Sequence, residues 1–229
     1  MHRHGLPIAP YDADELLLEA VQRTSRVSVN IYQPSDTMVV LGKGSDPLSE
    51  LHVDHCLADQ VPLAGRRGGG CAVVLDPGNV IVSVALPIPG INHTHRYFDF
   101  LTERLVRTLN AMGYGPIYRD GKSDLVLQNR KIGGSCVYRT KGLLYYSSTI
   151  LVAPDIHKIE RYLQYPPREP AYRGGRSHAE FIGSLVSKGT TAHAARLVRE
   201  LTEYVQHDDL SLQEIVTENS AALPVMSCT

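Results

Sequence analysis

The sequence predicts an α+β fold, and three observations carry that expectation. Strand-like runs at Ala72–Leu75 and Val80–Pro87 flank the turn Asp76-Pro77-Gly78-Asn79, a composition that returns the chain as an antiparallel hairpin. A second group of strands, at 124–128, 130–139 and 143–152, is joined by the tight turns Gln128-Asn129-Arg130 and Thr140-Lys141-Gly142. Between the two groups lies the clearest helix, 94–112, in which Phe98, Leu101, Leu105 and Leu109 recur at helical spacing and Gly113 stands where a C-terminal cap belongs. Helices segregated between groups of strands describe α+β, not a regular βαβ alternation.

The remaining elements follow the same signals. Asp12 or Asp14 caps a first helix over 13–24, with Leu16, Leu17, Ala20 and Val21 as its apolar stripe. Val27–Gln33 and Met38–Lys43 read as strands separated by Pro34-Ser35-Asp36. A weakly patterned helix covers 47–58, and Val61–Ala64 is a short strand that runs into a glycine loop. A strand at 116–119 precedes the second group, and a helix at 155–164 follows it. The stretch from Tyr165 to Arg176, rich in Pro, Gly and Arg, is an irregular loop, with helices at 177–186, 189–206 and 211–218 beyond it.

Length and composition narrow the function. The 229 residues show no composition shift, repeat or low-complexity tract, so a single domain over 1–229 is expected. A net charge of -1 gives no reason to expect nucleic acid or an anionic membrane as partner. No run approaches the ~18 apolar residues of a membrane span, and Met1-His2-Arg3-His4-Gly5 does not open a secretory signal; the expected location is the cytoplasm. Cys56, Cys71, Cys136 and Cys228 are scattered without a C-x-x-C pair, which reads as reduced thiols. His52-Val53-Asp54-His55-Cys56 and His93-Thr94-His95 lack a zinc spacing with a second ligand pair, so surface or capping histidines are the better reading.

Three segments carry candidate chemistry. Arg66-Arg67-Gly68-Gly69-Gly70-Cys71 sits between two strands; its glycines allow close approach of a ligand and expose N–H donors, and the arginines suit phosphate or carboxylate. It matches neither the G-x-x-x-x-G-K-[ST] loop nor a G-x-G-x-x-G that opens a helix. Arg130-Lys131-Ile132-Gly133-Gly134-Ser135 places a mobile ammonium beside two glycines, suited to an oxyanion or phosphate. Asp124, at the start of a strand, can hold Mg²⁺ together with phosphate oxygens, because Mg²⁺ usually takes one or two protein carboxylates. Each has an ordinary alternative: a flexible turn, a surface lysine, a turn aspartate. Cys71 and Cys136 lie inside the glycine segments, and a thiolate nucleophile stays open beside the simpler reading of small, partly buried thiols.

The order of these segments, together with Met38-Val39-Val40-Leu41-Gly42 and Ser148-Thr149-Ile150-Leu151, resembles the lipoate–protein ligase branch of the biotin/lipoate ligase family over about residues 12–206. The resemblance implies a central mixed, largely antiparallel sheet flanked by helices. It implies an ATP-dependent ligase that activates lipoate (or octanoate) as an acyl-adenylate and transfers the acyl group to a lysine of a lipoyl-carrier domain. ATP and Mg²⁺ are the implied co-substrate and metal, with no tightly bound prosthetic group. Lys131 is the implied catalytic residue, at the carboxyl–phosphate region. The implied substrate and nucleotide set is Arg66, Gly68, Gly69, Gly70, Cys71, Val73, Asn79, Asp124, Gly134, Ser135 and Thr149, with Asp124 nearest the phosphates and metal.

The chain departs from the family pattern at four places. Gly68, Gly69, Gly70 and then Cys71 stand where the family has a Ser or Thr followed by three glycines before Ala-Val, Leu75 replaces a His before Asp76, Tyr146-Ser147-Ser148-Thr149 replaces His-His-Gly-Thr, and Ser45-Asp46 replaces Gln-Asn. Octanoyltransferase relatives carry a nucleophilic cysteine upstream of the strand matching Asp124–Gln128, and Gly113–Ser123 contains none; this favours ATP-dependent ligation over thioester transfer, with biotin ligation further away. A non-catalytic ligand-binding homologue is the third alternative. Only about 40 residues follow Gly189, so no C-terminal accessory domain is expected; a separate accessory protein supplies that function, or the enzyme manages without it.

Overall fold

The computed structural model describes residues 2–88, 94–140 and 142–207; the helix expected at 211–218 lies outside them. In chain order the elements are β1 His2–Arg3, β2 Leu6–Pro10, α1 Glu15–Thr24, β3 Ser28–Tyr32, β4 Met38–Leu41, α2 Pro47–Glu50, α3 Val53–Ala58, β5 Leu63–Gly65, β6 Val73–Leu75 and β7 Asn79–Pro87. They continue with α4 Thr94–Ala111, β8 Ile117–Asp120, β9 Asp124–Leu127, β10 Arg130–Thr140, β11 Leu143–Leu151, α5 Ile156–Tyr162, α6 His178–Phe181 and α7 Thr191–His207. The fold is α+β, as the sequence predicts. Its strands divide between two sheets: an antiparallel one of 6 strands, β3-β7-β11-β10-β9-β8, and a mixed one of 5, β1-β2-β5-β4-β6.

Strand β7 lies inside the larger sheet and is buried along nearly its whole length, so both faces of that sheet must be covered. Alternation assigns its residues. Val80 and Val82 pack behind, against Leu105 and Leu109 of α4 and Leu197 and Leu201 of α7. Ile81 faces forward to Val40, Ala64 and Leu75 of the smaller sheet, and Ala85 faces Leu17, Leu18 and Val21 of α1. The far side of the smaller sheet is closed by Cys56 of α3 and Ile159 and Tyr162 of α5. Leu109 is fully buried in this packing; truncating such a leucine to Ala costs about 2–5 kcal/mol.

Four local expectations are corrected, and two strands appear where none was expected. Strands β6 and β7 do not form the hairpin expected across Asp76-Pro77-Gly78-Asn79: β6 pairs with β4 in the smaller sheet and β7 with β3 and β11 in the larger, so the turn passes the chain from one sheet to the other. Residues 2–10 form β1 and β2, which the two prolines and short length of the segment conceal. The helix expected at 47–58 breaks at Leu51, whose backbone is extended and bridges Leu163, giving α2 and α3. The helix expected at 177–186 is a single turn, α6, because the Gly183 N–H bonds Lys131 O at 2.9 Å and the Leu185 N–H bonds Leu151 O at 2.7 Å. In α1, Leu16 is exposed and Leu18 takes its place on the buried face; a run of three leucines leaves the choice of face to packing. No helix of the described residues is long and apolar enough to cross a membrane.

Candidate functional site

The glycine loop joins β5 to β6 and is fixed from both sides. The Arg66 guanidinium donates to Val40 O at 3.0 Å, Gly69 O at 2.8 Å and Cys71 O at 2.8 Å. Buried Glu50 accepts from the Ala72 N–H and from Ser45 Oγ. Arg66 was expected to face a ligand; here its planar fork is spent on loop carbonyls, the pattern of a residue that sets shape. Among the described residues nothing accepts from the N–H groups of Gly69, Gly70 or Cys71, which leaves them as donors for an anion. Arg67 is exposed, pairs with Glu15 and lies 5.9 Å over the Tyr138 ring.

The loop rests on β10. A Cβ on Gly68 would sit 2.7 Å from Cys136 Sγ, so any larger residue there would lift the loop off the strand. Burial pushes the Cys136 thiol up, and the Arg66 guanidinium offsets this only in part.

Three residues before Gly134, a bulge in β10 shifts its register against β9 between Lys131 and Gly133. Ile132 packs behind with Leu125, and a Cβ on Gly133 would meet the same leucine at 2.9 Å. Two successive residues therefore turn to the rear, which brings Lys131 and Gly134 to the front together. Lys131 Nζ pairs with Asp124 Oδ1 at 2.8 Å, and a Cβ on Gly134 would meet both groups at 3.3–3.4 Å. The second oxygen, Asp124 Oδ2, accepts from Tyr172 OH at 2.9 Å. Burial, then the Asp124 carboxylate, raise the Tyr172 phenol, so it is a standing donor. Tyr172 comes from the loop expected at 165–176, where Ala171–Arg173 form one turn of 3-10 helix. The Arg176 guanidinium holds that turn through Tyr172 O at 2.7 Å and Asn129 O at 2.9 Å.

Beside the glycine loop, a narrow cavity of about 40 Å³ opens among Tyr11, Asp14, Leu18, Cys136, Tyr138 and Tyr145. Cys136 of β10 and Ser147 of β11 line it, and they continue in register into Ser83 of β7 and Asn30 of β3, a row of small polar residues across four strands. Asp14 lies over that row, 5% exposed, and accepts from Asn30 Nδ2 at 2.9 Å, Ser83 Oγ at 2.7 Å and Tyr145 OH. Asp14 stands at the N-cap position of α1, yet its side chain makes no cap hydrogen bond. The sequence pointed to it as a cap only. The polar residues at alternate positions in β7 and β11, Ser83 and Ser147, were the available signal.

The other expected residues fall around this axis. Thr149 pairs with Gly134 and Ile81, and Val73 packs between the sheets with Val40 and Ile81. Asn79, fully buried, donates to Asp76 Oδ1 at 2.7 Å while its own Oδ1 has no partner among the described residues. Ser135 is not brought to the site: its hydroxyl meets Tyr146 OH at 2.8 Å, and Tyr146 packs on the helix side with Tyr97 and Leu101. An odd step from Gly134 along a strand reverses the face. Among the described residues no group of three or more His, Cys, Asp or Glu can hold a metal; the His52 and His55 rings lie 5.4 Å apart, tilted by 41°, and His93 lies outside the described residues. Those two histidines line a wider hollow of about 280 Å³ with Leu48 and Gln164, which shares no residue with the glycine loop or the Lys131 corner.

The catalytic-domain family model of lipoyl protein ligase A/B matches residues 7–206. The chain belongs to that family. A probable lipoate-protein ligase A from Mycoplasma genitalium is 24% identical over 209 residues, covering 91% of this chain and 62% of the relative. The chain spans about three-fifths of the length of the curated relatives it matches. A lipoate-protein ligase A crystallised with ATP superimposes with a TM-score of 0.66 at 20% identity, over 83% of this chain and 78% of the other. An archaeal lipoylation system from Thermoplasma acidophilum, described as a bi-partite lipoate protein ligase and its E2 lipoyl domain, gives a TM-score of 0.62 at 22% identity, over 87% and 82% of the two chains. These likenesses establish the lipoyl ligase catalytic fold here.

Proposed function

We propose that this lipoyl ligase family member activates a lipoate- or octanoate-type acid with ATP and passes the acyl group to a lysine of a lipoyl-carrier domain. The observation that carries the reading is the Lys131 ammonium, held by Asp124 over Gly134, where no side chain obstructs a ligand. In the first step a carboxylate oxygen of the acid attacks the α-phosphorus of ATP; the acyl–phosphate bond forms and pyrophosphate leaves. In the second, the carrier amine attacks the acyl carbon, the amide forms, AMP leaves and the amine proton passes to solvent. Negative charge grows on the α-phosphate and then on the carbonyl oxygen. Lys131 and the free N–H groups of Gly69, Gly70 and Cys71 are donors of the kind that stabilise it.

Asp124 is the carboxylate that would hold a Mg²⁺, an ion that usually takes one or two protein carboxylates, and the ion would supply charge neutralisation for the phosphates. Asn79 Oδ1, buried and unpartnered, is an acceptor for the nucleotide. The ATP-bound ligase and the archaeal system with its lipoyl domain support ATP and a carrier domain as partners. The bi-partite archaeal enzyme also supports a separate accessory protein. The proposed setting is the cytoplasm, where Cys56, Cys71 and Cys136 stay as free thiols.

Thioester transfer through Cys136 is the second reading, favoured by its place in the cavity wall and opposed by the burial that keeps its thiol protonated. Incubation with ATP and octanoate, followed by pyrophosphate assay and mass spectrometry, tests the first reading. Pyrophosphate release with a retained octanoyl-adenylate is expected. Carrier acylation without ATP, lost in Cys136→Ala, would replace it with the second.

A further inference from the structure

The cavity ends on a buried carboxylate, an unusual wall for a purely hydrocarbon chain. Asp14 accepts three neutral donors, and no cation lies within 4 Å of it among the described residues. An ionised carboxyl has about four acceptor positions, so one remains. Around this carboxylate the lining is mainly apolar, with further polar groups at and behind it: Ser83 Oγ meets Ser147 Oγ at 3.1 Å and Tyr145 OH at 3.2 Å, and Tyr11 OH meets Tyr32 OH at 2.7 Å. An apolar tail end laid against Asp14 leaves its remaining acceptor position without a donor, which costs affinity.

The distance fits an acid of defined length. Gly134, Cys136 and Tyr138 alternate onto the front of β10, at about 3.3 Å per residue. An extended eight-carbon acid is about 9 Å long, roughly three residues of strand. With its carboxylate at Lys131 over Gly134, its far end lies between Cys136 and Tyr138, in the cavity that Asp14 lines.

We infer that Asp14 is a specificity-determining residue of the acyl site, and that it selects a medium-chain acid bearing a hydrogen-bond donor, a hydroxyl or thiol, at the end remote from its carboxylate. The inference rests on the proposed placement of the acid carboxylate at Lys131. Tyr145 modulates the selection, because its hydroxyl occupies one acceptor position of Asp14.

The test compares 8-hydroxyoctanoate with octanoate, as binding constants from calorimetry without ATP and as pyrophosphate release with ATP. Hydrogen bonds to an ionised acceptor are roughly twice as strong as neutral ones, so a preference of about tenfold for the hydroxy acid is expected in the wild type. Asp14→Asn keeps an acceptor for Asn30 and is expected to bring the ratio to within about twofold of unity. Tyr145→Phe frees an acceptor position and is expected to raise the ratio about threefold. A residue with only a packing role would lower affinity for both acids together and leave the ratio unmoved. Wild-type binding that favours octanoate, equal binding, no binding of either acid, or a ratio that Asp14→Asn leaves unchanged each overturns the inference. Selective binding without pyrophosphate release overturns the adenylation reading instead and leaves the selection by Asp14 standing.

Discussion

The glycine loop and the Lys131 corner meet the same strand two residues apart, Gly68 over Cys136 and Lys131 over Gly134, but they are built differently. In the loop the cation has turned inward: Arg66 spends its guanidinium on three backbone carbonyls, and Glu50 secures the far end. In the corner the cation stays mobile. Lys131 is about one-third exposed, and one carboxylate, itself steadied by Tyr172, holds it. A guanidinium suits the first task because its fixed fork satisfies several acceptors at once; an ammonium on a flexible stem suits the second because it can follow charge from one oxygen to another. Rigid shape thus stands beside movable charge.

Breaking the movable charge carries the largest expected effect. Lys131→Ala is expected to lower adenylate formation by about 10²–10³-fold, the loss typical of one donor aimed at a developing oxyanion. Its stability cost is smaller, about 1–3 kcal/mol for leaving Asp124 with a single donor. Pyrophosphate release alongside thermal melting checks both, and a rate near wild type would sink the assignment of Lys131. Arg66→Met inverts the pattern. It strips charged donors from three carbonyls and is expected to cost about 2–3 kcal/mol of stability, with KM raised and kcat within about tenfold because the loop loosens without losing a ligand contact. A variant that melts like wild type while kcat collapses would place the guanidinium on the ligand after all.

Tyr172 sharpens the comparison at the corner. Tyr172→Phe keeps the ring on Phe181, 5.1 Å away, and removes only the donor to Asp124. The expected result is a rise of about three- to tenfold in KM for ATP with little change in melting. Unchanged KM would show that Asp124 needs no help from the loop over Ala171–Arg173.

What the sequence discloses divides along the same line. Backbone-determined features were legible: glycines between strands, the i, i+4 pattern of α4 and the hairpin turns at 128–130 and 140–142 each declare themselves within a few residues. The turn at 76–79 declares itself too, but not that its two strands enter different sheets. Lys131, Asp124 and Gly134, which the structure brings together, were singled out by the order and spacing of their segments, since none of them stands out alone. Side-chain direction was not legible. That Arg66 faces inward, that Ser135 faces α4 and that Asp14 leaves its cap position for the sheet all depend on packing between elements far apart in the chain. The bulge at Lys131–Gly133 is the clearest case: one extra residue reverses the face of everything before it, and nothing in Arg130-Lys131-Ile132-Gly133-Gly134 announces it. Tyr172 was hidden for a related reason, since an irregular loop carries no periodicity from which contacts can be read.

The smallest expected effect tests whether α6, whose following residues buttress Lys131, is tied to the fold by a neutral histidine. His178 Nε2 meets Gln164 O at 3.1 Å; a carbonyl only accepts, so Nε2 carries the proton. Its buried Nδ1 has no partner among the described residues. Protonating Nδ1 would add a donor with no acceptor and a charge near Arg173, and burial, the largest cause, holds the His178 pKa below its ordinary value. The sign follows from proton counting. Above about 6.5 both the folded and the unfolded histidine are neutral, and the group contributes no pH dependence. Below that, the unfolded chain binds the proton first, so stability falls as pH falls. His178→Gln preserves a donor to Gln164 O and removes the titration. Melting at pH 7.5 and pH 5.5 should then drop less in the variant than in the wild type, by about 1–3 °C. Equal drops would mean that His178 is protonated in the fold, and that the segment after α6 holds Lys131 through its backbone bonds alone.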